Sequence, residues 1–207
     1  MRITIVLAVL VFSGWIFLGG CGMVYAQDID AQDIDVGYSQ IHPASPFYFL
    51  KGVRESLEMA LAQTPRVRML RQLEYSNRRL RETKSLLREK REDLIQATLE
   101  RYWYHFNEVL IFRPRDEDLT LTIRHYVDIH LKEFDKIYNQ LSSQTAKMAI
   151  RANINRLMEK SDVSGEVRVF GCNFLLKESS SSALTEVERM VLGERAESCF
   201  EKLKPIR

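Results

Sequence analysis

Histidines, cysteines and carboxylates are the side chains through which this 207-residue chain could do chemistry. Di-iron or zinc chemistry in a helical bundle calls for Glu-x-x-His pairs, which set an acid and an imidazole on one face. The positions three before His105, His125 and His130 are Tyr102, Thr122 and Val127, none of them acidic. His125 and His130 stand five apart, not the four that would align two ligands on a helix. These histidines read as surface or seam residues, and no metal or other cofactor is expected. No Gly-x-Ser-x-Gly marks a nucleophile. Carboxylates are frequent, but beside so many Arg and Lys they read as solvated i,i+4 partners. Catalysis is therefore not expected. Asp28, Asp30, Asp33 and Asp35 in QDIDAQDID alternate as calcium ligands can. The run lacks the glycine and closing glutamate of a calcium loop. It reads as part of an acidic, disordered linker over 27–42.

The cysteines depend on compartment, and the compartment on the first 26 residues. Arg2 and the free amine precede ITIVLAVLVFSGWIFL, an uncharged stretch at 3–18. Small residues and Val24-Tyr25-Ala26 follow, a small-x-small site for signal peptidase. The 16 apolar residues are short of the roughly 20 that span a bilayer. Residues 1–26 thus read as a secretory signal lying outside the fold. Leu18-Gly19-Gly20-Cys21 also resembles a lipobox, where cleavage would leave a lipid on Cys21. Cleavage after Ala26, lipidation of Cys21 and an uncut anchor remain open, and all three place residues 27–207 outside the cytoplasm, in the periplasm or at the cell surface. Cys172 and Cys199 then remain, enclosing 26 residues. In an oxidising compartment they are expected to pair, with two buried free thiols as the alternative.

The elements that must position these residues read as helices throughout. Net charge is +2 and pI about 8.4, so no bulk polyelectrolyte role follows. Ser45-Pro46 and Thr64-Pro65 each set a capping hydroxyl before a proline at a first helical position. Between them Phe47, Leu50, Val53, Leu57, Ala60 and Leu61 recur at steps of three or four, one amphipathic helix. No glycine or proline interrupts 65–112, which reads as one long helix. Its first half shows one leucine per heptad, Leu73, Leu80, Leu87 and Leu94, beside polar Asn77, Lys84 and Arg91, so it reads as thinly buried. Ile95, Leu99, Tyr102, Phe106 and Val109 thicken the stripe beyond. Arg113–Asp116 reads as a turn, and a third helix carries Ile123, Val127, Leu131, Phe134, Ile137, Leu141 and Met148. Gly165 and Gly171 would break helix, leaving Glu166–Phe170 as a brief strand or turn. Thr185-x-x-Glu188 is a capping box opening a last helix.

Pro43-Ala44-Ser45-Pro46-Phe47-Tyr48-Phe49-Leu50-Lys51, soon after a signal, resembles the opening of a bacterial family of exported helical domains without an assigned function. Arg79-Leu80-Arg81-Glu82 is similar to that family's Arg-Leu-x-Glu element. Ala44 stands where the family has an acid. The resemblance implies an extracytoplasmic all-helical module and supplies no catalytic residues.

The expected architecture is all-α. A long antiparallel hairpin within 43–160 is braced by two shorter helices, with a C-terminal loop and capping helix over 161–207. Two surfaces could serve a partner. Arg66, Arg68, Arg71, Arg78, Arg79, Arg81, Lys84, Arg88, Lys90 and Arg91 outnumber Glu74, Glu82 and Glu89 along about 39 Å of helix. They form either a solvated face or a docking surface for anionic lipid or acidic wall polymer. Nucleic acid is a poor candidate outside the cell. Trp103 and Tyr104 either pack under a turn or anchor a protein partner or a second copy. The expected role is a non-catalytic envelope interaction or scaffold module. A small-ligand or metal carrier using a bundle cavity is the runner-up, and an enzyme comes third.

Overall fold

A computed structural model describes residues 36–112, 117–161 and 163–203. Cys21, the leader, the aspartate run and the Arg113–Asp116 turn lie outside the described residues. Those described are helical, with no strand among them. The helices are α1 (Tyr48–Ala60), α2 (Pro65–Arg88), α3 (Ile95–Phe112), α4 (Glu117–Tyr138), α5 (Gln144–Lys160), α6 (Gly165–Ser179) and α7 (Glu186–Glu201).

Each of the two long rods expected from the sequence is broken once. The first turns back on itself at Lys90, so α2 and α3 form a tightly packed antiparallel pair. Lys90 takes φ 58°, the left-handed conformation that ordinarily falls to glycine. Its N–H donates to Leu87 O at 3.0 Å, and the Arg91 N–H donates to Leu86 O at 2.8 Å. Those two bonds are a Schellman stop, here without its usual glycine. A 3₁₀ turn, Glu92–Leu94, leads into α3. The second rod breaks at 139–143, where the Ser143 hydroxyl caps α5 at Ala146 N, 3.3 Å away. Glu92 ties the two breaks together. Its carboxylate accepts from Ser143 N at 2.6 Å, Ser142 N at 3.1 Å and Ser142 Oγ at 2.9 Å. Burial pushes the Glu92 carboxyl up, but those amide bonds outweigh it and hold it below the usual range.

The core fills the space between α2, α3, α4 and α5. Leu73, Leu80 and Leu86 meet Ile95, Leu99, Tyr102, Phe106 and Val109 from α3. Leu131, Phe134 and Ile137 close it from α4, and Ile150, Ile154 and Leu157 from α5. Contrary to the thinly buried face expected of it, α2 is enclosed on most sides, with Ser76, Asn77, Arg79, Glu82, Thr83 and Ser85 also buried. Burying polar side chains is tolerable only where they find partners. Ser76 and Thr83 donate back to the carbonyls of Leu73 and Arg79. Ser85 bonds the backbone of Ser39 in both directions, at 2.9 Å each. Residues 36–42, expected as linker, are therefore packed onto α2. Val36 is buried and its carbonyl accepts from Arg81 Nε at 2.7 Å, and His42 Nε2 lies 2.9 Å from Glu89.

The expected strand or turn at 166–170 is helical. Ser164 caps α6 through Val167 N. Gly171 sits mid-helix where a Cβ would lie 2.4 Å from Met158 Sδ, so the missing side chain lets α5 and α6 approach closely. The capping box is present: Glu188 N donates to Thr185 Oγ1 at 3.3 Å and Thr185 N to Glu188 Oε2 at 2.9 Å. A Cys172–Cys199 disulfide joins α6 to α7 with Cα atoms 5.5 Å apart. Closing a loop of that length contributes about 3 kcal/mol through the unfolded chain.

Lys90→Gly is expected to raise the unfolding free energy by about 1 kcal/mol, because glycine occupies left-handed φ without steric cost. Urea denaturation followed by circular dichroism measures it; an unchanged or lower stability contradicts the role given to Lys90.

Candidate functional site

The chemistry-bearing side chains converge where α1 lies on α2, and they do so inverted from the amphipathic expectation. The face of α1 against the body is polar. Glu55, the buried residue of the helix, meets the Arg79 guanidinium, and Arg79 Nη1 donates to Glu82 Oε1 at 2.5 Å. Lys51 Nζ also contacts Glu82, whose side chain is fully buried. Tyr48 Oη donates to Glu82 Oε2 at 3.0 Å and accepts from Arg79 Nη1 at 2.8 Å and Arg101 Nη1 at 3.0 Å. At the next turn Arg78 spans Glu58 at 3.0 Å and Glu74 at 3.2 Å. Tyr75 Oη donates to the Glu55 carbonyl at 2.9 Å. Burial lifts the Glu55 carboxyl, and Arg79 opposes that lift most strongly. Burial would lower the Arg79 pKa, but Glu82 and Glu55 more than reverse it, so the guanidinium stays charged.

The opposite face of α1 is apolar and open. Phe47, Phe49, Leu50, Val53, Leu57 and Leu61 are between 44% and 69% exposed. These include the residues whose periodicity predicted a core-facing stripe.

The ten cations of 66–91 are divided by the fold. Arg78, Arg79 and Arg81 serve the contacts above, with Arg81 Nη1 also 3.8 Å from Glu74. Lys84 reaches the buried Glu133 of α4 at 3.0 Å, which Lys136 flanks at 3.2 Å. Arg88 lies over the Tyr38 ring at 4.5 Å, and Arg91 pairs with Asp93 at 2.9 Å. Arg68 Nε donates to the Ala62 carbonyl at 2.9 Å. Arg66, Arg68, Arg71, Arg88, Lys90 and Arg91 are exposed. Trp103 is half-buried beneath α5, with Arg156 and Lys160 each 5.3 Å from its ring, whereas Tyr104 is exposed.

Among the described residues no group of three His, Cys, Asp or Glu could hold a metal. His130, expected at the surface or a seam, lies within the core. Its Nδ1 shares a hydrogen bond with Tyr102 Oη at 3.0 Å, and the rings of Tyr102, Phe106 and Tyr126 approach within 5.9 Å. Burial first, then the Arg81 charge, pushes its pKa down to about 3. His105 Nδ1 donates to Gln72 Oε1, 2.7 Å away; burial and then Arg79 lower its pKa to about 4. An open depression of about 750 Å³ lies between α2 and the α4–α5 turn, walled by Tyr38, Lys84, Arg88, Lys90, Glu92 and Lys136.

A helical domain whose first helix is held by a buried ion lattice is the class defined here. The chain belongs to the family described as domain of unknown function DUF5667, whose model matches residues 40–166. No curated protein and no solved structure matches it. The matched span holds the whole lattice, while α7 and the disulfide lie beyond it.

Arg79→Met would strand Glu82 and Glu55 as buried charges and is expected to cost about 3–5 kcal/mol. Glu55→Leu/Arg79→Met/Glu82→Met together should recover most of that loss in urea denaturation. A single variant within about 1 kcal/mol of the wild type contradicts the lattice.

The two histidines set a pH dependence. Their folded pKa values, about 3 and about 4, lie below the roughly 6.5 of the unfolded chain. Stability is then complete above pH 6.5 and falls as pH drops below it, by up to roughly 1.4 kcal/mol per unit for each ring. His130→Gln should reduce that slope by about half between roughly pH 6.5 and 5; an unchanged slope contradicts the burial of a neutral ring.

Proposed function

We propose that the protein is an exported, non-catalytic interaction module of the cell envelope, and that the outer face of α1 is its working surface. The observation that carries this reading is the inversion of α1: its charged side is locked inward and its apolar side is presented outward. Exposed contiguous apolar surface is costly in a solitary protein and marks interaction sites. The uncharged stretch at 3–18 and the small residues after it support export, and Cys172–Cys199 suits an oxidising compartment.

A photo-reactive phenylalanine analogue at Phe49 in the native host is expected to give cross-linked species in the envelope fraction. The mature chain should begin after Ala26 or at a lipid-bearing Cys21. A chain that retains Met1 and stays in the cytosol removes the proposal. A second reading, a carrier of a small anion, draws on Lys84, Arg88, Lys90 and Lys136 around the open depression. Native mass spectrometry of the purified protein tests it by the presence or absence of a bound molecule.

A further inference from the structure

Exposed apolar residues occur both on α1 and at the start of α2. Phe47, Phe49, Leu50, Val53, Leu57 and Leu61 are followed by exposed Val67 and Leu70. Arg54, Arg66, Arg68 and Arg71 are the charged residues exposed among them. From 43 to 71 the acids are Glu55 and Glu58 alone. Glu55 is buried against Arg79, and Glu58 is half-buried between Arg54 at 2.7 Å and Arg78 at 3.0 Å. The surface therefore offers apolar side chains with a fringe of cations and no exposed acid. The 13 residues of α1 give it a length of about 20 Å.

We propose that this face docks on an anionic lipid bilayer, with α1 lying in the plane of the headgroup–acyl boundary. The proposal rests on the interaction-module reading and names its partner surface. An interfacial helix needs an apolar face to enter the boundary and cations to meet anionic headgroups. Both are present here on α1 and the turn that follows it, where Arg54 lies on α1 itself and Arg68 donates to the Ala62 carbonyl at 2.9 Å. The charge complementarity decides between occupants. A second copy packed on the same face would bring Arg54, Arg66, Arg68 and Arg71 against their own counterparts, a like-charge juxtaposition that disfavours pairing. A bilayer carrying negative headgroups turns the same four residues into attractive contacts. Ordinary interfacial helices present a polar face to water; here that role falls to the lattice, since Lys51, Glu55 and Tyr48 face α2. The body of the protein thus occupies the side that water would otherwise solvate, and docking the membrane face needs no rearrangement of α1.

The test uses the full chain carrying Cys21→Ser, so that no lipid is attached and the leader is the same in every sample. Co-sedimentation with phosphatidylcholine–phosphatidylglycerol vesicles is compared with pure phosphatidylcholine vesicles, at low and high salt. Leu50→Glu/Leu57→Glu should lower the partition onto anionic vesicles by about tenfold or more, and Arg68→Glu/Arg71→Glu should lower it at low salt alone. Far-UV circular dichroism checks that both variants remain folded. A nitroxide on Val53→Cys should be relaxed by oxygen in the bilayer and shielded from an aqueous nickel complex when vesicles are added. The last readout reports on α1 itself, whatever the leader contributes. A nitroxide that stays open to nickel on vesicles, with equal partition of the Leu50/Leu57 variant beside it, overturns the proposal. So does a molecular mass, by light scattering, that is dimeric without lipid and becomes monomeric in the Leu50/Leu57 variant. Export can be intact while these fail, and a cytosolic chain could still pass them, so the two proposals fall separately.

Discussion

The contact between Arg79 and the carboxylates of Glu55 and Glu82 is the constraint on which the arrangement of this protein turns. Glu82 is fully buried in the middle of α2, and an unpaired carboxylate there would be untenable. Arg79, one turn earlier on the same helix, neutralises it locally, and Lys51 and Tyr48 reach it from α1. The pairing works in both directions. The ions need α1 as a lid to complete their shells, and α1 needs the ions because its inward face has little apolar surface to bury. Buried ion pairs add little net stability compared with apolar packing, but they tolerate few alternative geometries. The lattice therefore sets the rotation of α1 about its axis, which a greasy contact would leave free to slip.

That rotation explains an otherwise uneconomical surface. Turning α1 by half a revolution would bury Leu50, Val53 and Leu57, and by area alone this favours folding. It would also leave Arg79 and Glu82 without their partners Glu55, Lys51 and Tyr48 on α1, a larger penalty per group. The observed orientation pairs the ions and leaves the apolar stripe exposed. The same logic recurs deeper in the fold. Lys84 and Lys136 converge on Glu133 between α2 and α4, and Arg151 and Tyr138 converge on Glu178 between α4, α5 and α6. Each buried acid sits at a seam between helices and fixes their register.

The all-helical class was legible because capping and composition act locally. Thr64-Pro65 and Thr185-x-x-Glu188 open helices as their side chains require, and Cys172 and Cys199, expected to pair, do so. The breaks were hidden for a physical reason. The stop at Lys90 uses a left-handed lysine where the usual signal is glycine, and the stop at 139–143 depends on Glu92 capping from fifty residues away. Neither leaves a local mark. Gly171, which looked like a breaker, serves close packing against Met158. The site was misjudged through periodicity. A three-four stripe says that one face of a helix is apolar, but not that this face is the one turned inward. The signal that could have corrected it was Glu55 and Lys51 opposite the stripe, matched by Arg79 and Glu82 on the next helix. The two stretches carrying the family resemblance, 43–51 and 79–82, supply Tyr48, Lys51, Arg79 and Glu82, and the fold brings all four together.

The C-terminal pair adds a different kind of stabilisation. α6 and α7 pack chiefly on each other, and the face of α7 that turns inward is small, comprising Leu192, Ala196 and Cys199. Such a helix would fray if apolar burial alone held it, since three modest side chains offset little of the entropy of ordering sixteen residues. The disulfide acts on the other side of the balance by restricting the unfolded chain, and the capping box fixes the helix start. The two ends of the molecule thus solve one problem in opposite ways. At the N-terminal end charges bind a helix that keeps its apolar face outward, and at the C-terminal end a covalent bond secures a helix with little apolar face to offer. In both, attachment is uncoupled from hydrophobic burial, which is why the apolar face of α1 can stay exposed.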